Sequence, residues 1–575
     1  MERVVRVGIL WLTCLVPFLF PAIARTASPA PVTYTAPDAT LLEGLADLHQ
    51  GRFMQAQLKF RSYLEGHPTD PRGHLFLAFC EWWKQLQISG EARTHAMEYH
   101  LDEAIRLAQD QLRLSPEDPQ VLTSLGTAHI FMAQYRASEK KVFKAASAAK
   151  KGKAFLEKAV LLNPQLVDAQ FGLGAYNYYA DKVSLLVKGL RSLMFLPGGD
   201  SDKGLAQLQE VAQRGRYFRT EAHLLLAVIY QSRHEQRYRL ALDHLNAALD
   251  LNAASPLIQG SIGELQLRLG NYPESHAVFE SAITRCAASS DRDQEALGHL
   301  LQVLLADSLD LSLHSASALS ELQASMKGYS FQADWRSRAL GVAARASFRL
   351  GDTDALEQIY RALNATQEER SALRTRYGNP AWNDPALTRS LSPVLSKMES
   401  GPSNAALPLI NALLEEYPNA PELLFHRGRL SFQDGQWGEA QSWLAKIPES
   451  PSTTAPWILG WKALFLGRSR WEQGSREGAL TSYRLALEVD GFRGKDLARE
   501  LLGPEGAGPQ VWPKEIFVLG LQASENSRHV AASLPVGRDT PVSIHDIFTG
   551  VVGSESQGGV VVPLQKELQV PHAPF

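Results

Sequence analysis

The chain has 575 residues, 45% hydrophobic and 21% charged, with a formal net charge of −3 and a pI near 6.6. So even a balance argues against nucleic-acid binding, which requires a strongly basic surface, although a local basic patch is compatible with a neutral total. A single core stops growing at roughly 250–300 residues, so the chain is either several domains or an extended array.

In chain order, the N-terminus reads as an export signal. Arg3 and Arg6 form a positive start. Residues 7–20 are an apolar run of 14, too short to span a bilayer comfortably. Ala22-Ile23-Ala24 then supplies the small-x-small pattern of a cleavage site. The expectation is a signal peptide over 1–24, cut after Ala24, and a linker over 25–36. Cys14 sits mid-run behind Trp11 and Leu12, which disfavours lipid attachment. No later stretch reaches about 18 uncharged apolar residues. The remaining cysteines, Cys80 and Cys286, are expected to be small buried hydrophobes and not partners in a disulfide.

A repeated spacing begins near residue 37. Gly44 is followed by Gly51, Phe53, Ala56, Phe60 and a closing Pro68. Gly263, Gly270, Tyr272, Phe279 and Ala282 keep the same steps, as do Gly428, Gly435, Trp437, Ala440 and Leu444. Gly467, Gly474, Ala479, Tyr483 and Ala486 make a fourth copy. The physical reading is a pair of helices. The first glycine lies where the helices cross closest, and the second lies in the turn, where positive φ is often needed. The aromatic residue fills the space between one pair and the next, and proline stops the second helix. Neither helix pair can bury its apolar face alone, so neighbours must stack.

These residues resemble the tetratricopeptide repeat, a helix-turn-helix unit of about 34 residues. The resemblance implies an all-α fold, an α-solenoid of stacked hairpins forming a right-handed superhelix, over residues 37–503. Looser copies contain Phe76, Phe79, Trp82, Trp83 and Ala104; Gly126 and Leu156, with a stretched basic middle; Ala222, Ala227, Tyr230 and Leu245; Gly351 and Tyr360; and Gly401 and Ala406. Nine to eleven pairs are expected. Residues 294–326 read as amphipathic helix without glycine landmarks. Residues 504–575, rich in Gly, Pro and Ser, read as an irregular tail.

An insert over 180–203 interrupts the copy that starts near Asp168. Its first half carries Leu186, Leu190, Arg191 and Phe195 in an amphipathic pattern over 183–195, suited to docking in the superhelix or on a membrane surface or partner. Its second half, Gly198-Gly199-Asp200-Ser201-Asp202, is the most enzyme-like stretch of the chain. It lacks the spacing of a P-loop and the carboxylates of a calcium loop. Gly198 and Gly199 are expected to turn the chain, with Asp200 or Ser201 capping the next helix. The insert also resembles that of exported bacterial tetratricopeptide proteins. Elsewhere, His234-Glu235 lacks the second histidine of a zinc protease, and Glu399-Ser400 lacks the continuation of a peptidoglycan-cleaving site, so Glu399 reads as a helix-end residue. No cofactor and no metal are expected.

In a superhelix of this kind the first helix of each pair lines the concave side. Positions just past the landmark glycine then place Tyr178, Tyr179, Gln231, Glu264, Arg268, Arg429 and Phe432 as a partner-binding lining. The functional expectation is an exported, non-enzymatic scaffold that binds a protein or peptide partner in the periplasm or cell envelope, and no nucleic acid. The alternative is a membrane-surface adaptor working through 183–195. An enzyme using the 198–202 loop is the remaining reading.

Overall fold

The computed structural model describes residues 36–84, 95–182 and 198–503, apart from 233, 254, 380, 381, 383, 401 and 402. The expected signal peptide, the insert residues Leu186, Leu190, Arg191 and Phe195, and the tail from 504 lie outside the described residues.

The described residues form α-helices with one short 3₁₀ turn and no strand. The hairpins are, in order, α1 (Ala36–His49) with α2 (Phe53–Gly66), α3 (Pro71–Lys84) with α4 (His95–Leu114), α5 (Pro119–Ser138) with α6 (Val142–Leu162), and α7 (Ala169–Lys182) with α8 (Ser201–Arg214). Next come α9 (Arg219–Gln231) with α10 (Tyr238–Leu251), α11 (Pro256–Arg268) with α12 (Tyr272–Ala287), α13 (Arg292–Leu311) with α14 (Ser315–Ser325), and α15 (Ala333–Leu350) with α16 (Thr353–Ala362). A lone helix, α17 (Gln367–Tyr377), precedes α18 (Pro385–Ser400) with α19 (Leu407–Glu416), α20 (Pro421–Gln433) with α21 (Trp437–Ala445), and α22 (Pro456–Glu472) with α23 (Arg476–Glu488). The short α24 (Lys495–Leu502) caps the stack.

One distance along the chain organises these hairpins. A Cβ on Gly263 would come within 2.6 Å of the Phe279 ring, and one on Gly428 within 2.8 Å of Leu444. Gly44 abuts Phe60 and Gly467 abuts Tyr483 in the same way, each partner sixteen positions on. Only hydrogen fits at these crossings. Seven positions after each landmark the chain turns with positive φ, at Gly51, Gly270, Gly435 and Gly474. The seventh hairpin explains why 294–326 showed no glycine landmarks. Ala306 and Leu322 are fully buried at the equivalent positions, and Leu313 takes the turn at φ 70. Lys140 and Gln236 take it in the third and fifth hairpins, so the backbone is conserved in shape where glycine is absent.

The two helices of a hairpin are buried differently. The second is amphipathic: in α10 a stripe of Tyr238, Ala241, Leu245 and Ala248 is buried and the rest faces water. The first is buried on nearly all sides. Residues 256–263 of α11 are all buried, as are 303–310 of α13. The cause is closure of the superhelix on itself. The α1–α2 turn docks against the starts of α9, α11 and α13. There His49 Nε2 lies 2.5 Å from Glu221 Oε1, Gln294 donates to the Gln50 carbonyl at 2.7 Å, and Asp293 accepts from the Met54 amide at 3.0 Å. Phe79, Trp82, Phe131, Phe171 and Phe218 fill the centre of the N-terminal half, with ring centroids 5.0 to 6.1 Å apart between neighbours. A second core over α18–α24 packs onto Tyr272 and Leu313 at the turns of the sixth and seventh hairpins.

Candidate interaction surface

The inner edge of the middle hairpins is where charge gathers. Asp307 and Asp310 sit one turn apart on α13, both fully buried in an otherwise apolar run. Arg338, Arg345 and Arg349 lie on one face of α15, seven and four residues apart. Asp307 accepts from Arg338 at 3.0 Å, from Arg345 at 2.5 Å, and from both terminal nitrogens of Arg493 at 2.7 and 3.0 Å. Asp310 accepts from Arg345 and Arg349, each at 2.7 Å. Burial alone would push the Asp307 carboxyl up. The guanidiniums of Arg493, Arg345 and Arg338 outweigh it and hold the group well below the usual carboxylate range.

The last segment of the described chain crosses this edge. Asp496 on α24 accepts from the Tyr238 hydroxyl at 2.8 Å and from Arg268 at 2.7 Å. Glu500 accepts from Arg239 at 2.7 Å. Leu497, fully buried, fills the space above Gly270. The fifth and sixth hairpins therefore hold a short amphipathic helix through its acids and one leucine.

The residues expected to line an open groove fall into two groups. Gln231, Glu264 and Arg268 are brought together with this network: Arg268 donates to Gln231 at 2.8 Å, and Arg338 donates to Glu264 at 2.8 Å. Tyr178, Arg429 and Phe432 are 1%, 3% and 6% exposed, so a solvated lining at these positions is corrected to a covered one. Tyr178 donates to Glu235 at 3.2 Å and lies edge-on to the half-buried Tyr179. Phe432 packs on Phe465 and Trp437. The reason is packing of successive hairpins on one another: the fifth hairpin meets Tyr178 through Glu235, and the last covers Phe432 through Phe465. Asp307, Arg338, Arg345, Arg493 and Asp496 were missed from sequence. The available signal was the pair of acids three apart in the apolar run of α13, a pattern that demands buried cations.

The glycine-rich loop is the start of a helix. Asp200 caps α8 by accepting from the Lys203 amide at 3.0 Å, and a Cβ on Gly199 would overlap the Asn177 carbonyl of α7. Glu399 lies in the last turn of α18. Among the described residues, no group of three or more His, Cys, Asp or Glu is placed to hold a metal. Cys80 and Cys286 are both buried and neither is part of a disulfide. No described helix is long and apolar enough to cross a membrane. An open cleft of about 320 Å³ lies among Trp382, Tyr417, Glu422 and Ile458, with His426 fully buried 3.9 Å behind Glu422.

The sequence profile of the tetratricopeptide repeat matches residues 233–291 and 394–452. Cellulose synthase operon protein C of Pseudomonas fluorescens (strain SBW25) is 27% identical over 292 residues, which is 50% of this chain and 20% of that protein. The chain thus spans about a fifth of the length of that relative. Among solved structures, the human IFIT1 dimer with PPP-AAAA covers 80% of this chain and 92% of its own, at 13% identity and TM-score 0.28. The P58(IPK) TPR domain covers 80% and 100%, at 14% identity and TM-score 0.18. Yeast Tom70 covers 80% and 93%, at 11% identity and TM-score 0.20. The chain is an all-α solenoid that carries tetratricopeptide repeats.

Proposed function

We propose that this protein is an exported, non-enzymatic scaffold that binds a protein or peptide partner in the periplasm or cell envelope. The observation that carries the reading is the seat of α24. Tyr238, Arg239 and Arg268 engage Asp496 and Glu500 while Leu497 enters the notch over Gly270. This is helix-in-groove recognition, with an apolar anchor for affinity and charges for register. A stack of hairpins offers the same kind of edge again along its length. Export rests on the sequence of residues 1–24 alone. The relative named for a cellulose synthase operon makes a polysaccharide synthase the first machinery in which to look for a partner.

The test is photo-crosslinking in the native cell from positions 231, 264 and 268, followed by mass spectrometry. A second protein trapped at these positions and absent from a probe on the outer face of α23 supports the reading. Crosslinks confined to the chain itself would sink it. Fractionation with N-terminal sequencing tests export separately; a mature start after Ala24 in the envelope fraction is expected.

A further inference from the structure

We propose that the cleft between the starts of α18, α20 and α22 binds a primary alkylammonium group, such as a lysine side chain or a free amine carries. Its walls come from residues just before and just inside those helices: Trp382 and Asp384, Tyr417 and Glu422, Thr453 and Ile458. At about 320 Å³ it stands at the lower end of small-ligand sites. It therefore takes one side chain or a small amine and not a docked helix.

The group that calls for an occupant is Glu422. An acid in the first turn of a helix is ordinarily favoured by the helix dipole and solvated by water. Here the second residue of α20 is only 7% exposed. Its Oε1 is covered and takes no hydrogen bond. Among the described residues no lysine or arginine forms an ion pair with it, and the one base nearby is His426, with Nε2 at 3.9 Å. That is too far for a hydrogen bond. Burial, aided by Arg429 and Arg349, holds the His426 pKa below its usual value against the pull of Glu422, so the imidazole brings no positive charge. A buried carboxylate without a cation is costly.

Two other hairpins show what such an acid receives. Glu221, the third residue of α9, and Asp293, the second of α13, are buried in the same part of their helices. The α1–α2 turn serves both. His49 Nε2 lies 2.5 Å from Glu221, and the Met54 amide donates to Asp293 at 3.0 Å, with Lys84 Nζ 3.9 Å from the same carboxylate. At the start of α20 no described segment does this for Glu422.

The lining selects a cation. It includes two acids, Asp384 and Glu422, and among the described residues no lysine, arginine or histidine. Glu416 adds a third carboxylate beside the Tyr417 hydroxyl. Trp382 and Tyr417 supply two rings for an alkyl chain and its charge, and the Trp382 indole is held by its Nε1, which donates to the Pro451 carbonyl at 3.0 Å. Because Oε1 is covered, one oxygen of Glu422 is left for the cleft. A compact ammonium needs only one, whereas a guanidinium fork seeks two. The inference uses none of the residues that seat α24.

The experiment is ¹⁹F NMR of the full chain labelled with 5-fluorotryptophan, the Trp382 signal being identified by its loss in Trp382→Phe. The probe is n-butylammonium, with 1-pentanol and pentanoate as neutral and anionic matches. A probe this small should shift Trp382 with a Kd on the order of 1 mM, and the two matches should not. Glu422→Gln should weaken the ammonium at least about tenfold, since it removes a charge-assisted contact, while its melting temperature stays level or rises. Thr453→Lys, at an exposed lining position, brings a cation to the cleft and should weaken the probe by a similar factor. Blocked lysine binding as well as butylammonium assigns the site to a protein side chain; cadaverine binding at least about tenfold better than blocked lysine assigns it to a free diamine. Equal shifts with 1-pentanol, preference for pentanoate, wild-type affinity in folded Glu422→Gln, or no shift of Trp382 would each overturn the proposal.

Discussion

Replacing Asp307 by asparagine tests whether the C-terminal arm is clamped to the middle hairpins by one buried carboxylate. Asp307 is fully buried and is met by three guanidiniums from two different parts of the chain. Asparagine keeps one acceptor oxygen and turns an NH₂ group toward a cation. Breaking a buried ion pair from one side destabilises by about 3–5 kcal/mol, because the partner charge is left uncompensated. Arg338 retains Glu264 and Arg345 retains Asp310, whereas every ion pair found for Arg493 among the described residues is to Asp307. The effect should therefore fall at the low end, about 3 kcal/mol, and concentrate on residues 489–503. In a stacked array stability is local, so the opening constant of that segment should rise about 100-fold while distant hairpins hold. Hydrogen exchange with mass spectrometry reads this directly, with α5 and α6 as the internal control. Arg493→Met should reproduce the local loss. Unchanged protection over 489–503 in D307N, or a loss spread evenly along the chain, would refute the clamp.

Three further outcomes follow from the packing and the titratable groups. Gly467→Ala should destabilise the last hairpin by about 1–3 kcal/mol through overlap with the Tyr483 ring, and adding Tyr483→Leu should recover part of it in urea unfolding. Gln236→Gly should stabilise by about 0.5–1 kcal/mol, because relief of a positive φ (φ 50) exceeds the extra chain entropy; a lower melting temperature would contradict it. The buried His276 and His314 lie with ring centroids 6.1 Å apart, and burial lowers their pKa to about 4 and about 3. A lowered folded-state value keeps stability intact above the unfolded value near 6.5 and withdraws it as pH falls toward 4. His276 alone accounts for about 3 kcal/mol of that loss. Calorimetric melting of wild type and His276→Gln between pH 7 and pH 4 should show a shallower decline in the variant.

The hairpin rhythm was legible because it is a short-range demand. Gly263 and Phe279, or Gly428 and Leu444, are sixteen residues apart, and close crossing of two helices joined by a tight turn requires that spacing wherever it occurs. Even so, glycine is only the cheapest solution. At Leu313 the same turn is made by a residue that pattern reading passes over, since packing of its side chain in the second core compensates for the strained φ. The cap at Asp200 was legible for the same local reason: a carboxylate before a helix satisfies amides two or three residues on.

The candidate surface was legible only in part. Glu264, Arg268 and Gln231 were placed on the inner side by their offset from the landmark glycines, and they do meet there. Their partners, Arg338 and Asp496, lie 74 and 228 residues away. Nothing in local spacing specifies how many hairpins complete a turn, and that number decides which of them meet.

The sequence by itself determined the repeating unit, the order of its helices and the residues at the crossings marked by Gly44, Gly263, Gly428 and Gly467, since those follow from contacts within one hairpin. Only the tertiary structure decided that the first hairpin closes onto the fifth to seventh, that α24 lies across the middle of the stack, and that Tyr178, Arg429 and Phe432 are core. Small angles between successive hairpins add up along the array, and it is their sum that brings distant segments together.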